Sequence, residues 1–341
     1  MSQTSDKILV WGSGAIGGTV GAYLARAGQD VLFVDSAADH VAAINAAGLA
    51  IEGPIENFTV AASALPPEQV AGRYRRILLC VKAHHTEAAA AALEPHLADD
   101  GIVVSLQNGL NERVIAAAVG ERRTIGAFVN FGADYLAPGR VLYGGRGAFV
   151  LGELDGAMSP RLAALVDLVR AMEPGAIATG NIWGFLWGKL GYGALLFATA
   201  LTDDSIADVL DMPEFRPLLT ALAREVVAVS AAQGIRPEGF NGWDPAAFAP
   251  GASQAAADAS FDGMVAFNRR SAKSHSGIWR DLAVRRRRTE VDAQLGPVVA
   301  EAARLGLAAP LCERLVTLIH GIEEGRQRLA RDTLGLLGRE C

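Results

Sequence analysis

Cysteine is scarce in this chain. Cys80, Cys312 and Cys341 are the only three in 341 residues. So few, so far apart, they exclude a disulfide framework and a cysteine zinc site, and no metal is expected. Cys80 lies in the apolar run Ile77-Leu78-Leu79-Cys80-Val81 and reads as a small buried hydrophobe. Basic charge is in deficit: 31 Lys and Arg stand against 37 Asp and Glu, a net charge of −6. A nucleic-acid partner is therefore not expected, because such binding rests on phosphate neutralisation. The one basic block, residues 285–288, runs into Thr289-Glu290-Val291-Asp292. It reads as a solvated or ion-paired helix face, on which Arg286 and Glu290 would be i,i+4 neighbours. An uninterrupted membrane-length apolar run is also missing. Residues 182–201 come nearest, with Lys189 as their only charge. Gly184, Gly188, Gly191 and Gly193 break up that surface and no basic flank marks a cytoplasmic side, so a buried helix is expected there and no membrane. Residues 1–6 are polar and run directly into a strand without the apolar core of a signal peptide, so a cytoplasmic protein is expected.

What is present is material for buried cores: 51% of residues are hydrophobic and 20% charged, a globular composition. A chain of 341 residues exceeds what one core usually serves, so two domains are expected. Strand-like and helix-like segments alternate in the first half. Ile8-Leu9-Val10-Trp11, Val31-Leu32-Phe33-Val34, residues 77–81 and Ile102-Val103-Val104-Ser105-Leu106 read as strands. An alanine-rich helix over residues 86–97 separates the last two. This alternation implies parallel βαβ units and a doubly wound sheet. Residues 124–131 and 141–151 read as further strands, partly antiparallel at the sheet edge. Beyond about residue 180 helical periodicity takes over, at 183–200, 217–232, 280–305 and 310–329. Residues 241–257, rich in Pro, Gly and Ala, read as a long surface loop. The fold class is thus α/β: a Rossmann-like doubly wound sheet over residues 1–181, followed by an all-helical domain over residues 182–335.

Gly12-Ser13-Gly14-Ala15-Ile16-Gly17 sits between the first strand and its helix, with Asp35 following 18 residues after Gly17 at the end of the next strand. A dinucleotide site needs these parts. The first glycine makes a tight turn, the second lets backbone approach the pyrophosphate, and the third packs helix on strand. The helix N-terminus presents N–H groups to the phosphates. Asp35 would accept the ribose hydroxyls and repel a 2′-phosphate, which favours NAD over NADP. Ligands in such sheets lie beyond the carboxyl ends of the strands, where Lys82 and Asn108 also fall. Lys189, in its apolar helix, suits proton transfer to a carbonyl oxygen that gains charge on hydride addition, against the alternative of a snorkelling lysine. His275 is a rival general acid. Ser276 could cap the helix that follows, and Glu290 could be a surface acid.

The motifs Gly12-Ser13-Gly14-Ala15-Ile16-Gly17, Val81-Lys82-Ala83, Gln107-Asn108-Gly109, Trp187-Gly188-Lys189-Leu190, Arg280-Asp281-Leu282 and Thr289-Glu290-Val291-Asp292 together resemble the ketopantoate reductase (2-dehydropantoate 2-reductase) family, in order and spacing across nearly the whole chain. The resemblance implies that Lys189 is the general acid and that Lys82 and Asn108 line the cofactor and substrate cleft. It also implies that Ser276 and Glu290 hold substrate. Lys189, Glu290 and Asn108 are then the catalytic set. Members of the pantothenate pathway usually carry asparagines four and eight positions after the lysine, where this chain has Gly193 and Phe197, and they typically take NADP. The expectation is NAD(P)H-dependent reduction of a small 2-oxo acid, with ketopantoate the leading substrate. The alternatives are an NAD-dependent dehydrogenase of another bulky 2-hydroxy or opine-like acid, and a dinucleotide sensor without chemistry. A homodimer is left open.

Overall fold

The computed structural model describes residues 4–271 and 274–339, so Cys341 lies outside the described residues. The chain divides into two compact units, Met1–Ile182 and Trp183–Cys341.

The first unit is built on ten strands: β1 (Thr4–Trp11), β2 (Val31–Val34), β3 (Leu49–Glu52), β4 (Phe58–Val60), β5 (Ser63–Leu65), β6 (Arg73–Leu79), β7 (Leu97–Ser105), β8 (Thr124–Ala137), β9 (Arg140–Glu153) and β10 (Ile177–Ala178). Among the described residues five α-helices accompany them: α1 (Ala15–Arg26), α2 (Ala38–Ala47), α3 (Thr86–Leu93), α4 (Asn111–Val119) and α5 (Pro160–Val169). The strand order is β4-β3-β9-β8-β7-β6-β1-β2-β5, with β10 also on β9. From β5 through β2, β1, β6 and β7 to β8 every pairing is parallel. Successive side chains of a strand point to opposite faces, and here both faces are buried. Ile8, Val10, Phe33, Leu78 and Val104 enter one core. Their neighbours Leu9, Trp11, Leu32, Val34, Leu79 and Val103 enter the other. That two-sided burial is why these segments are continuous apolar runs and not alternating ones.

The long β8 and β9 pair antiparallel, as expected, but inside the sheet and not at its edge. Both β3 and β10 add to β9. The edges are instead β4 and β5, three residues each, too short to read from sequence and too short to recruit another strand.

The second unit is helical. It contains α6 (Ile182–Thr199, starting on the last residue of the first unit), α7 (Ile206–Asp211), α8 (Arg216–Ala232), α9 (Gln254–Arg270), α10 (Gly277–Trp279), α11 (Val291–Gln294), α12 (Gly296–Arg304), α13 (Pro310–Glu323) and α14 (Arg331–Leu337). Two expectations fail here. Residues 241–257 are not a surface loop: Trp243, Ala247 and Phe248 are buried, Trp243 stacks on Phe248 at 4.6 Å, and α9 has begun by Gln254. Residues 280–305 are not one helix. A π turn over Arg280–Val284 follows α10, Arg286 takes a positive φ of 49°, and Arg285 and Arg287 both close on Asp281, at 3.0 and 2.9 Å. One carboxylate gathering two of four consecutive guanidiniums opposes the even angular spread that a helix would give them. Arg286 and Glu290 are therefore not helical neighbours. The Thr289 N–H and hydroxyl both donate to Glu323, at 2.7 and 2.8 Å, which anchors the exit of this loop on α13. Among the described residues no helix is long and apolar enough to cross a membrane.

Candidate functional site

The turn after β1 behaves as its glycines require. Gly12 has φ +95°, and a Cβ there would lie 2.8 Å from the Val81 nitrogen. A Cβ on Gly17 would fall on the Gly12 carbonyl oxygen and 2.9 Å from the Cys80 side chain. Only Gly14 faces open space, with nothing within 4 Å of where its Cβ would be. Gly14 is the N-cap of α1 and offers no side-chain cap, so the amides of Ala15, Ile16 and Gly17 start the helix without one. Open space above uncapped helical N–H groups is a cradle for phosphate oxygens.

Asp35 follows β2 and is drawn into this turn. Its Oδ2 accepts from the Ser13 amide at 2.8 Å and the Ser13 hydroxyl at 3.0 Å, and its Oδ1 accepts from the Ala37 amide at 3.0 Å. Ser13 is thus the strut that sets the carboxylate beside the glycine turn. Three neighbours escaped the sequence reading. His40, 1% exposed, accepts from the Gly139 amide at Nδ1 (2.9 Å), so its Nε2–H donates to the Ser13 carbonyl (2.9 Å). This pattern fixes the orientation of the ring and ties the turn to the β8–β9 connection. Tyr135 meets His40 edge-on at 5.1 Å. Burial together with the charges of Asp39 and Asp35 pushes its phenol pKa up. A second carboxylate, Asp39, therefore stands in this neighbourhood, and only the fold of the β8–β9 hairpin brings Tyr135 to it.

Lys82 and Asn108 follow β6 and β7, and a buried chain of hydrogen bonds joins their loops. The Gln107 amide donates to the Val81 carbonyl (2.9 Å) and to the Thr86 hydroxyl (2.7 Å). Thr86 donates to Asn111 Oδ1 (2.7 Å), and Asn111 Nδ2 donates to the Asn108 carbonyl (2.5 Å). Lys82 is exposed and Asn108 half-buried. The side chains beneath them, Thr86, Gln107 and Asn111, are all buried. Cys80, half-buried against Gly17, has its thiol pKa pushed up by burial.

In the second unit α6 carries Lys189, half-buried, among apolar neighbours. Its glycines are packing positions on other faces. The Gly184 carbonyl accepts from the Glu238 amide at 2.9 Å, a Cβ on Gly188 would strike the Glu238 carbonyl, and a Cβ on Gly191 would lie 2.7 Å from the Trp243 ring. Gly193, one turn beyond Lys189, differs: its Cβ position is 3.6 Å from Gln294 Oε1 on α11. Phe197, a further turn on, is fully buried and belongs to the core of the unit. Glu290 is the N-cap residue of α11 and half-buried. It stands one turn before Gln294, whose amide donates to the Glu290 carbonyl at 3.0 Å. The Gly193–Gln294 approach thus brings the helix of Lys189 against the helix of Glu290.

Ser276 and His275 are less free than the sequence suggested. The Ser276 hydroxyl accepts from the Trp279 amide at 3.1 Å and caps α10, with 3% exposure. His275 meets the Ser274 hydroxyl at Nδ1 (2.9 Å) and the Asp203 carbonyl at Nε2 (3.2 Å), and its ring lies 4.1 Å from Trp279. With both nitrogens engaged, His275 is a poor rival as proton donor. Among the described residues no group of three or more His, Cys, Asp or Glu could hold a metal ion.

A largely parallel sheet with a glycine turn, an uncapped helix and a strand-end aspartate, followed by a helical unit in which α6 carries one lysine among apolar residues, defines the class of two-unit dinucleotide-dependent oxidoreductases. The comparisons are specific. Residues 8–156 match the model "Ketopantoate reductase PanE/ApbA", and residues 181–323 match that of its C-terminal part. The chain belongs to the ketopantoate reductase family. A 2-dehydropantoate 2-reductase of Archaeoglobus fulgidus is 28% identical over 94% of this chain and 99% of its own length. A PanE/ApbA family ketopantoate reductase from Ralstonia eutropha JMP134 superposes with a TM-score of 0.77, at 27% identity, over 94% of this chain and 100% of that one. A D-mandelate dehydrogenase solved with NADH and anilino(oxo)acetate gives a TM-score of 0.80 at 22% identity, covering 94% and 99%, a likeness of fold. The chain is accordingly an NAD(P)-dependent oxidoreductase.

Proposed function

We propose that this protein reduces a small 2-oxo acid, 2-dehydropantoate first among them, with NADH and with Lys189 as general acid. The observation that carries the proposal is the setting of Lys189: the only charge on α6, on a helix that packs, one turn away, against the helix of Glu290. The dinucleotide fits the residues present. Its pyrophosphate would lie over Gly14 and the amides of Ala15, Ile16 and Gly17, a ribose hydroxyl on Asp35, and Lys82 and Asn108 would border the nicotinamide end. When bound, the reduced cofactor supplies hydride to the carbonyl carbon. The Lys189 ammonium stabilises the charge growing on the carbonyl oxygen and transfers its proton there, leaving a neutral amine that regains a proton from water. Asn108, Ser276 and Glu290 orient the acid. For Ser276 the remaining hydroxyl proton is the available group, since its oxygen already caps α10.

Lys189→Ala should lower kcat on 2-dehydropantoate by roughly 10²–10⁴, the usual worth of a general acid, with the Kd for NADH unchanged. Wild-type turnover in that variant would refute the assignment. A second reading, oxidoreduction of a bulkier 2-hydroxy acid, is favoured by Gly193 and Gly277, which add no side chain of their own to the helices of Lys189 and Ser276. Parallel rates with 2-dehydropantoate and larger 2-oxo acids separate the two.

A further inference from the structure

Gln294 has no role in the reading above, yet its position is distinctive. Helix α11 has one face tied down, with Asp292 Oδ2 3.0 Å from His320 Nε2 on α13. Four residues make just over one helical turn, so Glu290 and Gln294 share the opposite face. There the Gln294 carboxamide comes to 3.6 Å from the point where a side chain on Gly193 would begin. That distance is ordinary contact with a flexible side chain, unlike the backbone and ring contacts that require glycine at 188 and 191. Nothing steric therefore demands glycine at 193, and what the absent side chain leaves is room for the carboxamide. Among the described residues no protein hydrogen bond to that carboxamide is formed, although Gln294 is half-buried. A half-buried amide with free donors and acceptor, beside the helix of the proposed acid, is suited to a polar ligand group.

We infer that Gln294 is a substrate-positioning and specificity-determining residue, whose carboxamide, admitted by Gly193, hydrogen-bonds a polar substituent on the chain of the 2-oxo acid. The inference rests on Lys189 marking the reacting carbonyl. Residues 189 and 193 are separated by a rise of about 6 Å along the helix, so Gln294 addresses the tail of the substrate and not its carbonyl. A hydroxyl on the carbon chain, which can both donate and accept, is the group that a carboxamide matches best.

The test uses the full-length enzyme and two acids, 2-dehydropantoate and 3,3-dimethyl-2-oxobutanoate, which differ by one hydroxyl. Gln294→Ala should lower kcat/KM for 2-dehydropantoate by roughly ten- to a hundredfold, the effect of losing one buried hydrogen bond. The loss should lie in KM, and kcat/KM for the deoxy acid should stay unchanged. Adding Gly193→Asn to Gln294→Ala returns a carboxamide from the other helix and should recover part of the loss, which a purely structural role would not predict. Equal losses with both acids, or no loss with either, would overturn the inference while leaving Lys189 in place. Calorimetric binding of the reduced products, pantoate and its deoxy analogue, supplies a readout independent of turnover. A wild-type protein that neither binds nor reduces any of these acids would overturn the inference and the reading beneath it together, whereas activity abolished by Lys189→Ala and indifferent to Gln294→Ala would overturn the inference alone.

Discussion

The proposed choice of NADH over NADPH can be tested at one carboxylate. Asp35 Oδ2 already serves the Ser13 amide and hydroxyl, and Oδ1 serves the Ala37 amide. A carboxylate has about four acceptor positions, so about one remains for a ribose hydroxyl. A hydrogen bond to a charged acceptor contributes about 1.5–3 kcal/mol. Asp35→Asn keeps one oxygen for Ser13, so the turn persists, while the charge and the spare acceptor are lost. The kcat/KM for NADH should then fall roughly ten- to a hundredfold. For NADPH the sign reverses. Two unit charges about 4 Å apart repel by about 4 kcal/mol at an effective dielectric of about 20. Asp35 is only half-buried, so screening reduces this to about 1–3 kcal/mol, again roughly ten- to a hundredfold. Asp39 keeps its charge nearby, so the variant should accept both cofactors and not switch outright. The assay is the absorbance of the reduced nicotinamide, titrated with each cofactor at saturating 2-oxo acid. A wild type that prefers NADPH, or a preference unmoved by Asp35→Asn, would refute the reasoning.

Two further perturbations address the scaffold. Thr86→Val removes the hydroxyl between Gln107 and Asn111. Stranding those buried amides should cost about 1–3 kcal/mol, which differential scanning fluorimetry should read as a lower Tm together with a higher KM for the cofactor. An unchanged Tm and KM would remove the network from the account. Glu225 is pushed above its ordinary value of 4.5 by burial, although the Leu311 and Cys312 amides pull it down. The folded protein holds that proton more tightly than the unfolded chain. Its contribution to stability is thus full below the ordinary value and declines as pH rises through the raised one. Glu225→Gln should flatten this decline in denaturant titrations from acid to neutral pH, and parallel curves for variant and wild type would contradict it.

What could be read from sequence was whatever depends on local pattern. Apolar runs buried on both faces announce parallel strands, and the glycine turn with Asp35 announces a phosphate cradle, because each requirement acts within a few residues. What stayed hidden depends on chain segments far apart. Glu238 and Trp243 explain two glycines of α6 from some fifty residues away. Tyr135 reaches Asp39 only because β8 turns back into β9 at Pro138 and Gly139. The arginine block failed as a helix through ties that periodicity does not encode, one of them only four to six residues away. Its geometry is set by Asp281 and Glu323, which no periodicity of the block itself could reveal.

Helix α6 joins these two kinds of information. Its composition alone shows a lysine among apolar residues and several glycines, which could equally be a loosely packed helix with a snorkelling side chain. The structure separates the glycines by what they face. Those at 184, 188 and 191 meet the backbone of Glu238 and the ring of Trp243 and press the helix into its own unit. Held along that side by these close approaches, the helix has little freedom to rotate. The face carrying Lys189 and Gly193 is thereby fixed towards α11. A proton donor is useful only if its ammonium is held within hydrogen-bond reach of one oxygen. Close packing on the glycine face supplies that rigidity without placing a polar or bulky side chain near the lysine. The packing glycines and Gly193 therefore both bear on the proposed proton donor, and exchanging Gly188 for alanine should lower kcat although the exchanged position faces Glu238 and not Lys189.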